Sequence, residues 1–242
     1  MLVSIGDEPG FDAGSRTQYF VGTFDGKTFE PGHEDVRWLD VGKDNYAGVS
    51  FSDVPASDGR RIYIGWMSNW QYANQVPTHG WRSQMTLPRT LELEGDRLVQ
   101  RPVKELEAYF VQGEPAVFHV DAGSEEQALP EAVEYLQVRA SLENKGAERF
   151  GLVFHYEDDQ SVVLQFDGRS GRMVLDRRQS GYTGFFRAFQ YRAECFGWRY
   201  GSGRAAGDCG CFFCRGVREW RRVCAYESDL PGWWMQRCFL VC

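Results

Sequence analysis

Cysteine is absent from the first 194 residues; all seven (Cys195, Cys209, Cys211, Cys214, Cys224, Cys238 and Cys242) lie in the last 48. A disulfide framework for the greater part of the chain is thereby excluded. No stretch approaches the roughly 20 consecutive apolar residues of a membrane-spanning helix, so no membrane partner is expected. The N-terminus MLVSIGDEPGFDAG has no basic segment leading into an apolar one, and no export signal is expected in the chain as written. Basic residues are outnumbered, 27 Lys and Arg against 34 Asp and Glu, for a net charge of −7. Nucleic acid is excluded as a partner on that ground, because it needs a basic face. Proline is sparse at 9, whereas Gly numbers 27 and aromatics reach 15%. Short apolar runs between turn residues then indicate an all-β protein.

The pattern along the chain supports that class. Thr17 to Phe24 is aromatic and β-branched, Asp25-Gly26-Lys27 supplies a turn, and Thr28-Phe29 resumes, which predicts a β-hairpin. Further strands are predicted at Tyr46 to Ser52, Arg61 to Met67, Arg82 to Leu87 and Thr90 to Leu93, with Ser57-Asp58-Gly59 and Glu94-Gly95-Asp96 as turns. Val103 to Phe110 reads as a short helix or connector, and a domain boundary is expected near residue 110. Strands resume at Ala116 to Val120, Val133 to Leu142, Phe150 to Tyr156, Ser161 to Phe166 and Arg172 to Asp176, a sandwich-like series.

Several ordered stretches carry a more specific signal. They are Gly14-Ser15, Tyr19-Phe20-Val21-Gly22, Phe24-Asp25-Gly26 and Asp40-Val41-Gly42-Lys43-Asp44-Asn45-Tyr46-Ala47. After them come Gly65-Trp66-Met67-Ser68-Asn69-Trp70-Gln71-Tyr72-Ala73-Asn74, Val76-Pro77-Thr78, Trp81-Arg82, Leu87-Pro88-Arg89 and Pro102-Val103-Lys104-Glu105-Leu106-Glu107. This set resembles glycoside hydrolase family 32, the levanase, inulinase and invertase group. The resemblance is densest over residues 15 to 107 and continues through Val174 to Gly181.

The resemblance implies the last blades of a five-bladed β-propeller over residues 1–108, then a partial β-sandwich over 112–190. It also implies a retaining mechanism with an Asp nucleophile in a Trp-Met-Asn-Asp-Pro-Asn-Gly motif, a sugar-gripping Asp in Arg-Asp-Pro, and a Glu-Cys acid/base. None of these motifs occurs in the 242 residues. Double displacement needs two carboxyl groups about 5 to 5.5 Å apart across the glycosidic bond, so no catalytic residue and no turnover by this chain alone is expected. What the resemblance leaves is substrate contact by Trp66, Trp70, Asp44, Tyr46, Asn69 and Arg82. Sugar C–H faces stack on aromatic planes while hydroxyls need polar partners. An indole at these positions equally serves as blade packing, and Arg82 and Asn69 equally as a surface ion pair or a loop hydrogen bond. A fructan or sucrose-type carbohydrate is the expected partner, with no cofactor and no metal. A non-catalytic fructan-binding module, or one half of a split enzyme completed by an upstream chain carrying the missing blades, are the alternatives. The compartment stays open, since members of the family are secreted or cytoplasmic.

Residues 191–242 differ from the rest, with eight Arg and five acids against 19 basic and 29 acidic residues before them. Cys209-x-Cys211-x-x-Cys214 with Cys224 contains one Cys-x-x-Cys interval where a zinc site needs two paired knuckles, so zinc is not expected. A change of reading frame between Gln190 and Phe212 explains the break. Phe212 to Arg221 can be encoded so that reading one base later yields Ser-Ser-Val-Glu-Val-Phe-Gly-Asn-Gly, which resembles the family's sandwich at this point. The tail is then expected to be out of frame and not natively folded.

Overall fold

The structure, a computed structural model, describes residues 1–6, 14–109, 127–128, 137–140, 143–145, 148–156, 160–167, 169–170, 172–190, 192–195, 212–213, 220–228, 232–234 and 238–241. The chain divides into two compact units, Met1–Tyr109 and Phe110–Cys242. Among the described residues every strand pair but one is antiparallel, and the only helices are three short 3-10 segments.

The first unit contains β1 (Leu2–Ile5), β2 (Arg16–Tyr19), β3 (Gly22–Phe24), β4 (Phe29–Pro31), β5 (Tyr46–Ser50), β6 (Arg61–Trp66), β7 (Arg89–Glu94) and β8 (Arg97–Pro102). They form the pairs β1-β2 and β3-β4 and the four-stranded meander β5-β6-β7-β8. The hairpin predicted from Thr17 closes where expected, because Asp25 Oδ1 accepts the backbone N–H groups of Lys27 and Thr28 at 2.7 Å each. The run before the turn is split, however: β2 pairs with β1 and only β3 with β4.

The strand predicted at Arg82 to Leu87 is corrected. Its pairing with β6 is a single bridge, Trp66 to Met85, flanked by Met67 N–H to Gln84 O and Thr86 N–H to Gly65 O. Ser83 has φ of 64°, a left-handed conformation that a continuing strand does not accept.

The meander has two unlike faces. Alternation puts Tyr63, Arg89 and Gln100 on one, where Tyr63 is fully buried and Arg89 nearly so. Those side chains pack on the loop after Leu39, which lies beside β2 through Leu39 N–H to Thr17 O. The other face carries Val49 opposite Ile64, and Ile62 two residues away; Val49 is 65% exposed.

The second unit contains β9 (Gln127–Ala128), β10 (Gln137–Ala140), β11 (Glu143–Lys145), β12 (Arg149–Tyr156), β13 (Gln160–Asp167), β14 (Arg172–Asp176), β15 (Arg192–Cys195), β16 (Phe212–Phe213), β17 (Trp220–Ser228), β18 (Gly232–Trp234) and β19 (Cys238–Val241). Its main sheet has the order β15-β14-β13-β12-β17-β9. Leu152, Val153 and Phe154 are buried in succession, so β12 is covered on both faces, while β13 buries Val162, Leu164 and Phe166 in alternation. Phe150 stacks on its register partner Phe166 at 5.4 Å. The strand predicted at Ala116 to Val120 lies outside the described residues, as does Val133 to Leu142 apart from β10.

Residues 191–242, for which the sequence predicts no native fold, nevertheless contribute strands, and β17 pairs with β12 along the whole of Arg149–Tyr156. Ladder bonds join backbone groups, so an open strand edge accepts any β-compatible segment whatever its side chains.

Candidate functional site

Trp66 ends β6, and the register places Tyr46 of β5 directly opposite it. Their rings meet edge to face, with centroids 6.3 Å apart. Reaching that position takes a bulge between Tyr46 and Val49, in which Ala47 has φ of 48°. Trp70 follows after a turn, its ring 4.9 Å from that of Trp66 and tilted by 54°. Trp70 is 51% exposed, whereas Trp66 and Tyr46 are half-buried. Three aromatic rings from two adjoining segments therefore form one partly open cluster.

A buried polar network sets the turn that carries Trp70. Asn69 is fully buried; its Nδ2 donates to Lys43 O at 3.0 Å and Ser15 O at 3.3 Å, and its Oδ1 accepts Gln71 N–H at 3.0 Å. Ser15 Oγ accepts Trp70 N–H at 3.0 Å, and Lys43 Nζ donates to Gln71 Oε1 at 3.0 Å. Gly14 is needed beside this amide. It has φ of 68°, and a Cβ there would lie 2.1 Å from Asn69 Oδ1.

Asp44 is part-buried and accepts a hydrogen bond from the hydroxyl of the buried Tyr72. Below it, Asp40 accepts Gly42 N–H at 2.9 Å, Asn45 Nδ2 at 3.3 Å and Arg89 Nη1 at 3.3 Å. Tyr63 donates to Asn45 Oδ1 at 3.0 Å, and burial pushes its phenol upward in pKa, keeping it a neutral donor. Arg82 is exposed and donates to Asn74 O, tying the Trp81 loop to the turn after Trp70.

Of the six residues singled out from sequence, Tyr46, Trp66 and Trp70 are brought into contact, and Asp44 lies two residues from Tyr46. Asn69 stands beneath them as a buried clamp, and Arg82 braces a neighbouring loop. Sequence reasoning did not single out Ser15, Lys43, Gln71 or Tyr72. Their only signal was membership of the ordered stretches, because each acts through partners 28 to 55 residues away. Chemically, the cluster offers aromatic planes for the apolar face of a sugar and a fixed carboxylate for its hydroxyls.

Residues 1–102 match the Glycosyl hydrolases family 32 N-terminal domain, and residues 105–196 match Glycosyl hydrolases family 32 C terminal. A levanase of Bacillus subtilis is 40% identical over 210 residues, covering 80% of this chain and 30% of the levanase. An extracellular exo-inulinase of Aspergillus niger is 44% identical over 108 residues, 40% of this chain and 20% of the inulinase. The chain thus spans less than a third of the length of these curated relatives. Among solved structures, the fructofuranosidase of Schwanniomyces occidentalis complexed with fructose has a TM-score of 0.65 at 20% identity, covering 98% of this chain and 55% of that one. The exo-inulinase of Aspergillus awamori has a TM-score of 0.63 at 22% identity, covering 99% and 50%. At such identities the likeness is one of fold.

Proposed function

Because this chain belongs to glycosyl hydrolases family 32, we propose that it carries the sugar-contacting aromatic part of a fructan-hydrolysing glycosidase and does not cleave fructosides on its own. The observation that carries this reading is the Tyr46–Trp66–Trp70 cluster, with Asp44 two residues before Tyr46 and held by the Tyr72 hydroxyl. Trp66 and Trp70 stack on a fructosyl ring, and Asp44 accepts its hydroxyls. Asn69 holds the turn, and Arg82 steadies the adjoining loop. The 242 residues contain neither the nucleophile motif nor the acid/base motif, so the cluster binds without a pair of carboxylates to complete double displacement. Residues 1–108 correspond in this reading to the last blades of the propeller and 112–190 to part of the sandwich. The decisive assay is fructose release from levan, inulin and sucrose by the purified chain, with tryptophan emission followed during titration with the same sugars. Quenching without release is expected; reproducible turnover would refute the proposal.

A second reading, one half of a split enzyme, is favoured by the open face of the β5–β8 meander. Val49 at 65% exposure, with Ile62 and Ile64 beside it, is suited to a further antiparallel sheet. An upstream chain bearing the missing blades would cover it and supply the two carboxylates. Mixing the two chains should then restore fructose release that neither shows alone.

The tail, residues 191–242, is read as out of frame, with the change between Gln190 and Phe212. The change of composition and the family-like peptide obtained one base later support this. The coding strand decides it.

A further inference from the structure

The second unit holds a cleft that owes nothing to the aromatic cluster. On β13, Val162, Leu164 and Phe166 face the core, which turns Ser161 and Val163 to the opposite side. There a cleft of about 330 Å³ is lined, among the described residues, by Ser161, Val163, Asp176, Arg178 and Gln179. Val163 and Asp176 are register partners across β13 and β14, so an apolar floor adjoins a carboxylate.

The polar wall is fixed before any ligand arrives. Arg178 Nε donates to Asp176 Oδ1 at 2.9 Å and Oδ2 at 3.0 Å, Nη2 donates to Oδ2 at 2.5 Å, and the Arg178 backbone N–H reaches Oδ1 at 3.0 Å. The Asp176 carboxylate in turn raises the guanidinium pKa above its ordinary value. Ser161 N–H donates to Gln179 O at 2.9 Å, and Thr183 Oγ1 donates to Arg178 O at 3.1 Å. Arg177 secures the following segment, its Nε donating to Phe189 O at 3.0 Å and its guanidinium lying 4.1 Å from the Phe189 ring.

These features select a ligand class. An anion gains little from a guanidinium whose Nε and Nη2 are already held by a carboxylate, and a wholly apolar ligand would strand the pair and the Gln179 amide. A saccharide suits all three elements. One hydroxyl donates to Asp176, a vicinal hydroxyl accepts from the Arg178 Nη1 group, and ring C–H groups rest on Val163. The volume lies at the lower end for small-molecule sites. We propose that this cleft is a second, non-catalytic subsite for one unit of a neutral saccharide. In a protein that acts on a polymer, such a site would hold the chain and raise its local concentration at any other site. It stands on the geometry of the second unit, whatever becomes of the aromatic site.

The test is a titration of the full 242-residue chain with an inulin-type tetrasaccharide, read by amide and methyl NMR shifts, with inorganic phosphate as the competing probe. Saturable shifts at Ser161, Val163 and Gln179 are expected. They should persist in Trp66→Ala and weaken at least about tenfold in Arg178→Ala and Asp176→Asn, the loss of one charge-assisted bond or more. Arg178→Lys, which keeps the charge without the fork, should weaken it similarly while leaving the rest of the spectrum in place. The subsite is overturned by shifts confined to Tyr46, Trp66 and Trp70, by no shift at all, by undiminished binding in Arg178→Ala, or by phosphate outcompeting the sugar. Shifts confined to the cleft would instead count against the aromatic site alone.

Discussion

Asn69 has no exposed surface, yet its amide joins three segments distant in sequence. Asn69→Ala should therefore destabilise the first unit by about 3 kcal/mol, because the Lys43 and Ser15 carbonyls lose their donor in a buried place. A thermal melt would measure this, and tryptophan quenching by fructan should weaken as the Trp70 turn loosens. Trp70→Ala makes the useful contrast. With half of its surface already in water, its loss should cost little in melting temperature yet abolish most of the quenching. Arg89 is a third case, 4% exposed and paired with a less buried Asp40. Arg89→Met should cost about 3 kcal/mol in a denaturant titration, since it leaves Asp40 without its cation. Tyr46, Trp66, Trp70 and Asp44 were legible in the sequence because they fall within recognisable ordered stretches. The Lys43–Gln71 and Tyr72–Asp44 pairs were not, because each depends on how two loops 28 residues apart meet.

At the scale of the element, the Ser57-Asp58-Gly59 turn is tied to the connector after β8. Arg60 donates to Asp58 and Glu105 together, with nitrogen to oxygen distances of 2.5 to 3.0 Å. Its hydrogen bonds are the main cause that holds both carboxyl groups down to about 2, from ordinary values of 3.8 and 4.5. Folded pKa values below the unfolded ones mean that this contribution is complete above about pH 5 and is lost as pH falls toward 2. The groups lie near the surface, so the effect is modest and screened by salt. Melting temperature measured from pH 7 to pH 2 should fall in that interval, and Arg60→Ala should flatten part of the fall. Elements were legible where turn chemistry is local: Asp25-Gly26 and Arg172 to Asp176 were placed correctly from residue types alone. Arg82 to Leu87 was misread because its apolar alternation is that of a strand, while Ser83 takes up a left-handed conformation that only the surrounding loops can impose.

For the whole molecule, composition placed the chain in the all-β class, and family resemblance supplied its relatives, but neither fixed which strands complete the second sheet. β12 needs a neighbour on the side away from β13, and β17, drawn from the tail, occupies it. If that tail is out of frame, the occupant was never selected for the position, and its backbone bonds come without matched side-chain packing. Shifting the reading frame by one base between Gln190 and Phe212 should then install strands that suit the sheet. A thermal melt and the soluble fraction on expression would compare the two versions. The reframed chain is expected to melt at least about 5 °C higher, equivalent to roughly 2 kcal/mol for a chain of this size, and to be more soluble. Equal melting temperatures and equal solubility would mean that the present tail serves the sheet as well as its alternative, and the frame change would have to be abandoned as the source of the composition break.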